Sequence, residues 1–279
     1  MIRATAADLP EIEAFLRNHI ATSMFPLTSL RHHGMENHHP RGQRFWLRWQ
    51  AARITDVLAI SNAGYVIPQC PTGPWGDVTT ILAGQKITGI IGEAGQVAAL
   101  RAVLRFNAAA EMDTVQPLFQ LLLDAIFMPN VTGFDLISLQ DAPLDLIQGW
   151  RAAYCEETMA LSSEEAVKQA AQDINAYMKE DNHRVLLHDG KPVATTGFNA
   201  SLPQIVQIGG VYTPPDLRGR GYGRRAVAMH ISQVKKQGVS QAVLFAASAA
   251  AAKAYEAIGF RHTGAYSMVR YNTPQVIYG

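Results

Sequence analysis

The stretch from Val211 to Gly223, Val-Tyr-Thr-Pro-Pro-Asp-Leu-Arg-Gly-Arg-Gly-Tyr-Gly, constrains the fold more than any other part of the chain. An apolar run over Ile205–Tyr212 leads into it, and a helical pattern with Val227, Ile231 and Val234 on one face follows it. Gly219, Gly221 and Gly223 let the backbone approach an anion closely, and the unpaired N–H groups that open a helix point back at the turn. The segment reads as strand, anion cradle and helix, an α/β unit that docks a phosphorylated ligand. Three glycines also make an ordinary tight turn, so the anion reading needs further support.

Two nucleotide motifs are excluded by residue. A P-loop requires Gly-Lys-Ser/Thr, whereas Gly221 precedes Tyr222 and Gly223. A dinucleotide fingerprint requires a small third residue where Arg224 stands, and an acidic residue near the end of the next strand, where the chain has Gln241-Ala242-Val243-Leu244-Phe245.

The spacing of Arg218, Gly221 and Gly223 resembles the Arg-x-x-Gly-x-Gly loop of the GCN5-related N-acetyltransferase (GNAT) superfamily. Leu244–Phe260 resembles that family's second acetyl-CoA signature: a strand, a short helix carrying Tyr255, and a closing Gly259-Phe260. The resemblance implies acetyl-CoA, or another acyl-CoA, as co-substrate. It places the pantetheine arm along Gly210, Val211, Tyr212 and Thr213, and the diphosphate on the amides of Arg218, Gly219, Arg220, Gly221, Tyr222, Gly223 and Arg224. It also implies that Tyr255 protonates the departing thiolate and that Ser248 stands where many relatives have Asn. Each has a bland alternative: Pro214-Pro215 as a simple turn, the arginines as a solvated basic face, Tyr255 as a core tyrosine.

The acceptor implied is an amine of a small molecule or peptide. An alkyl ammonium has a pKa of about 10 and no lone pair at neutral pH, so a base is needed. The strand through Gln207 and Ile208 carries no Glu, leaving Glu156, Glu157, His188 or Tyr212 acting through water, and for the glutamates a solvated helix face is the competing reading. A cradle without that chemistry would be an acyl-CoA sensor or interaction module instead of an enzyme.

At 279 residues the chain exceeds one such domain, and an imperfect mirror of the second half precedes it. Helix from Leu9-Pro10, strands over 45–51, 54–61, 65–67 and 78–82, the extended run 88–92 and a helix over 94–104 repeat the order. In this mirror Ile91-Gly92-Glu93-Ala94-Gly95-Gln96 stands where the second half has Arg-Gly-Arg-Gly-Tyr-Gly, and Glu93 would repel a diphosphate. The expectation is an α/β (α+β mixed sheet) protein of two GNAT-like domains in tandem, each a mostly antiparallel sheet flanked by helices. Residues 1–130 form a degenerate copy and 131–279 the catalytic domain.

A formal charge of +1 argues against nucleic acid as the main partner. Two cysteines without a CxxC pair, no signal-like start and no long apolar run point to a cytoplasmic protein without a membrane partner. The cluster His32-His33-Gly34-Met35-Glu36-Asn37-His38-His39 lacks the ligand spacing of a zinc site, so no metal is expected.

Overall fold

A computed structural model describes residues 1–277 apart from Pro74, Asn107 and Ala160. The chain forms two compact units, one of Met1–Gln116 with Gly264–Gly279, the other of Pro117–Thr263. No helix among the described residues is long and apolar enough to cross a membrane.

The first unit runs β1 (Ile2–Arg3), α1 (Leu9–Asn18), α2 (Ile20–His33), β2 (Gln43–Gln50), β3 (Arg53–Ser61), β4 (Tyr65–Gln69), α3 (Val78–Leu82), β5 (Lys86–Glu93), α4 (Ala94–Leu104), and the start of β6 (Ala110–Leu122). The same order then begins again: β7 (Phe134–Ser138), α5 (Leu144–Met159), α6 (Ser163–Glu180), β8 (His183–His188), β9 (Lys191–Leu202), β10 (Ile205–Tyr212), α7 (Tyr222–Lys235), β11 (Gln241–Phe245), α8 (Ala249–Glu256) and β12 (Arg261–Val276). Among the described strand pairs of each unit one is parallel, β4 with β5 and β10 with β11, and the other described pairs are antiparallel.

The last strand of each half serves the other unit. Leu118–Leu122 of β6 pairs antiparallel with β11, and Tyr266–Val276 of β12 pairs antiparallel with β5. The element order restarts at Phe134, near the expected boundary at 130, but the compact units divide at Gln116/Pro117 and Thr263/Gly264 because of this exchange. Val269 and Tyr266 are fully buried in the first unit, so its core depends on the end of the chain.

Two local expectations for the first unit are corrected. Val78–Leu82 is a helical turn, although its Val, Thr and Ile favour strands. The structural counterpart of the cradle is therefore the segment after β4, not the segment around Glu93. Glu93 instead N-caps α4, accepting from the amides of Gly95 and Gln96 at 2.9 Å. In the segment after β4, the Thr72 N–H donates to the buried carboxylate of Asp56 at 2.9 Å, and Arg48 bonds the same carboxylate at 3.2 Å. An internal anion thus takes up a loop amide that a ligand would need.

In the second unit, one face of the sheet packs Val206, Ile208 and Leu244 against Val227 and Ile231 of α7 and Tyr255 of α8. The other face packs Val185 against Ile147 of α5 and Ile174 of α6. A capping box at Ser162 and Glu165 starts α6, satisfying two backbone donors.

Candidate functional site

The parallel pairing of β10 with β11 stops at Ile208↔Leu244, whereas β10 continues to Tyr212. Beyond that point the two strands part, and the β9–β10 register also shifts between Gly209 and Tyr212. Gly210 takes φ +61° in this bulge, and the Thr195 hydroxyl fixes it by donating to its carbonyl at 3.1 Å. The parting opens a cleft of about 780 Å³, lined on one side by Val211–Thr213 and the glycine turn and on the other by Ala247, Ser248, Ala251 and Tyr255.

The turn is built for a left-handed backbone. Gly219 and Gly221 have φ +78° and +74°, and Gly221 is the N-cap of α7. A Cβ on Gly221 would come within 2.8 Å of Arg225 Nη1 and 3.0 Å of Arg224 Nε. The Arg218 amide is used inside the short turn, donating to the Pro215 carbonyl at 3.3 Å, contrary to the expectation that it joins the cradle. Among the described residues, the N–H groups of Gly219 through Arg224 have no intrachain acceptor. They lie at the positive end of a fourteen-residue helix and line the cleft.

The arginines divide. Arg218 turns back along β10: its Nε donates to the Thr213 carbonyl at 2.9 Å, Nη2 meets Glu157 Oε2 at 2.6 Å, and the guanidinium lies 5.6 Å from the Tyr212 ring centroid. Arg220 Nη2 donates to the Asp216 carbonyl, and Arg225 donates to the carbonyls of Asn130 and Arg220 and covers Phe134. These three brace the turn. Arg224 lines the cleft, with its Nε buried and without a partner among the described residues.

Tyr255 is 8% exposed, and burial followed by the neighbouring Tyr154 pushes its pKa up, so the phenol stays protonated. Its hydroxyl has no intrachain partner among the described residues, and its side chain packs edge-on to Phe260. Ser248 lines the cleft but accepts from the Ala251 amide at 3.1 Å as N-cap of α8, so its oxygen already has a structural role.

Of the two glutamates, Glu157 lines the cleft, held by Arg218 and by the Tyr212 hydroxyl at 3.4 Å, while Glu156 is exposed and not part of the lining. Burial, then Glu157, raises the pKa of Tyr212. His188 lies elsewhere, stacked on Phe134 at 4.3 Å and bonded to the Tyr222 hydroxyl at 3.2 Å. Tyr154 and Thr158 line the cleft beside Glu157 and were not anticipated; their i, i+3, i+4 spacing on α5 is the signal that would have found them. Among the described residues no cluster of His, Cys, Asp or Glu fits a metal ion, and in the His-rich segment His33 stacks on His39 at 3.7 Å.

Residues 147–260 match the model of the acetyltransferase (GNAT) family. No curated protein matches the chain. Among solved structures, the chain is similar to a GCN5-related N-acetyltransferase from Kribbella flavida, with TM-score 0.58 and 15% identity over 91% of this chain and 95% of that one. It is also similar to a tandem GNAT protein from the clavulanic acid biosynthesis pathway, with TM-score 0.55 and 13% identity over 96% of both chains. A third, from Sphaerobacter thermophilus, gives 0.53 and 15% over 100% and 96%. At these identities the likeness establishes the fold. Residues 147–260, which hold the strand, turn and helix of the cleft, match the GNAT acetyltransferase family, and the chain as a whole shares the fold of these solved structures.

Proposed function

We propose that the second unit binds an acyl-CoA, acetyl-CoA in the first instance, and transfers its acyl group directly to an amine. The observation that carries this is the run of acceptor-free N–H groups from Gly219 to Arg224, lying on a cleft beside an open strand edge. Such groups at a helix start bind a diphosphate without any base- or sugar-specific contact. The amine nitrogen forms a bond to the thioester carbon and loses one proton to solvent, from which the proton donor is recharged; the C–S bond breaks, and the thiolate takes a proton. Tyr255 is assigned to deliver that proton, its hydroxyl being free of intrachain partners and kept protonated by burial. On this reading residues 1–130 are a copy that has lost donor binding.

A second reading, an acyl-CoA-binding module without turnover, is favoured by one observation. Glu157, an acidic residue lining the cleft, is occupied by Arg218 and Tyr212. Release of CoA across a panel of amines separates the two.

The primary test is thermal. Acetyl-CoA at about 100 times its Kd stabilises a protein by about 2.7 kcal/mol. Gly221→Glu forces a side chain into a φ of +74° and sets a carboxylate beside the amides, and the ligand-induced shift is expected to vanish. A wild-type chain whose melting temperature ignores acetyl-CoA would refute the proposal.

A further inference from the structure

On the face of β9 and β10 that packs against α5 and α6, two glycines are paired across the strands, Gly197↔Gly209. Gly209 is covered by the Asn199 side chain, whereas Gly197 and the bulged Gly210 present no side chain to the ring of His183. A Cβ on Gly197 would fall 2.0 Å from the His183 ring, and one on Gly210 would fall 3.0 Å from His183 Nε2. The imidazole therefore lies flat on the sheet next to the bulge that opens the cleft. Its other face stacks on Tyr177, with centroids 3.5 Å apart and planes 13° from parallel.

The tautomer of this ring is fixed by its neighbour. Asn182 Nδ2 donates to the Phe198 carbonyl at 3.0 Å and to Glu180 Oε2 at 2.7 Å, which turns Asn182 Oδ1 toward His183 Nδ1 at 2.6 Å. Nδ1 therefore carries the proton and Nε2 presents a lone pair. That Nε2 is buried and has no partner among the described residues, a costly state for a polar atom unless something occupies it. Burial, reinforced by His230, holds the His183 pKa well below its ordinary value, so the ring is neutral.

His183 and Gly210 line a chamber of about 20 Å³ together with Trp150, Arg151, Tyr177 and Tyr212. That is room for a group of about one water's size. Arg151 is paired with Asp173 at 2.6 Å and lies over the Tyr154 and Tyr177 rings. An ammonium would have to leave water for an aromatic chamber already bearing a guanidinium.

Resting on the acyltransferase reading, we propose that this chamber receives the head of the acyl acceptor, and that His183 Nε2 accepts a hydrogen bond from the N–H of an unhindered primary amine in its free-base form. The pairing selects the protonation state that can attack. It leaves the nitrogen lone pair free beside Gly210, where β10 turns into the cleft. His183 supplies what Glu157, already occupied, does not.

The test uses the full chain with CoA, which carries no acyl group to transfer. In histidine side-chain nitrogen-15 spectra, the His183 Nε2 resonance should move on titration with ethylamine or benzylamine and stay fixed with diethylamine. A resonance unmoved by both primary amines overturns the proposal. In turnover, His183→Phe keeps the stack on Tyr177 and removes the acceptor atom. It should lower kcat/KM for the primary amine by about tenfold, the size of one hydrogen bond, with acetyl-CoA affinity unchanged. Unchanged kcat/KM, or a parallel loss of acetyl-CoA affinity, overturns it. Failure of the acyltransferase reading is a separate result, a wild-type chain that does not bind acetyl-CoA, and the imidazole spectra do not depend on it.

Discussion

Gly223→Ala separates the structural and ligand-binding roles of the glycine turn. Gly223 is the second residue of α7, and its φ is not in the left-handed region. An added Cβ would meet Thr213 Oγ1 at 3.5 Å and Val211 Cγ1 at 3.6 Å, ordinary contact distances. Alanine gains helix propensity over glycine, about 0.5 kcal/mol near a helix start, so the unliganded protein should melt about 1–2 °C higher. Thr213 and Val211 both line the cleft, so the same methyl group takes space beside the free amides. Overpacking of this kind costs about 2 kcal/mol, roughly a 30-fold loss of affinity. An acetyl-CoA concentration that stabilises the wild type by about 2.7 kcal/mol would then stabilise the variant by about 0.8 kcal/mol. In scanning fluorimetry the ligand shift should fall from about 5–10 °C to about 2–3 °C. Gly219→Ala is the control: its φ of +78° with open space around it predicts a lower unliganded melting temperature, by about 1–2 kcal/mol of backbone strain. A Gly223→Ala protein that keeps the whole ligand shift would refute the seating of the diphosphate on these amides. One destabilised by several degrees would refute the packing argument.

Tyr255→Phe removes a hydroxyl that has no intrachain partner among the described residues, so stability should change by less than about 0.5 kcal/mol. If that hydroxyl protonates the thiolate, kcat falls by about 100-fold or more with acetyl-CoA affinity nearly constant, and unchanged kcat removes Tyr255 from the chemistry. The buried histidines set the acid response. His230, stacked on Phe198 at 3.9 Å, has its pKa pushed down to about 3, by burial first and Arg184 second, and His183 is shifted in the same direction. Above about pH 6.5 both folded and unfolded chains hold these rings neutral. As pH falls toward 3, the unfolded chain takes up protons that the fold excludes. Stability therefore drops by about 1.4 kcal/mol per pH unit for each histidine. His230→Phe should halve the loss measured by urea unfolding between pH 7 and pH 5, and an equal loss in the variant would show that other groups govern it.

The glycine turn was legible because a local backbone requirement dictates its residues: left-handed φ at Gly219 and Gly221 leaves few alternatives to glycine. The hairpin at Asp189-Gly190 and the helix Ala94–Leu104 were legible for the same reason, each being fixed by its own neighbours in sequence. What failed was whatever depends on distant pairing. The five residues Val78–Leu82 carry strand-forming side chains but follow a parallel strand that needs a crossover, and the topology prevailed over propensity. The exchange of β6 and β12 leaves no local trace, so a boundary at 130 followed the element order and missed the division into compact units. Ser248 and Glu93 stand at equivalent places, each capping the helix after the second parallel strand, and only the structure aligns them. His183 was invisible because its significance lies in Gly197 and Gly210, which β9 and β10 bring to its ring from thirteen residues apart in sequence.

The segment Gly209–Tyr212 explains why one strand serves two proposed subsites. A regular β10 would continue pairing with β11 past Ile208 and close the edge that the pantetheine arm needs. The bulge ends that pairing, and it needs Gly210 because φ there is +61°. The same missing Cβ lets His183 Nε2 lie against the strand from the α5 and α6 side. On the proposed reading, donor access on one side of β10 and acceptor recognition on the other depend on a single residue. A side chain at Gly210 would strain the backbone at φ +61° and set a Cβ 3.0 Å from His183 Nε2, so both proposed functions are expected to suffer together.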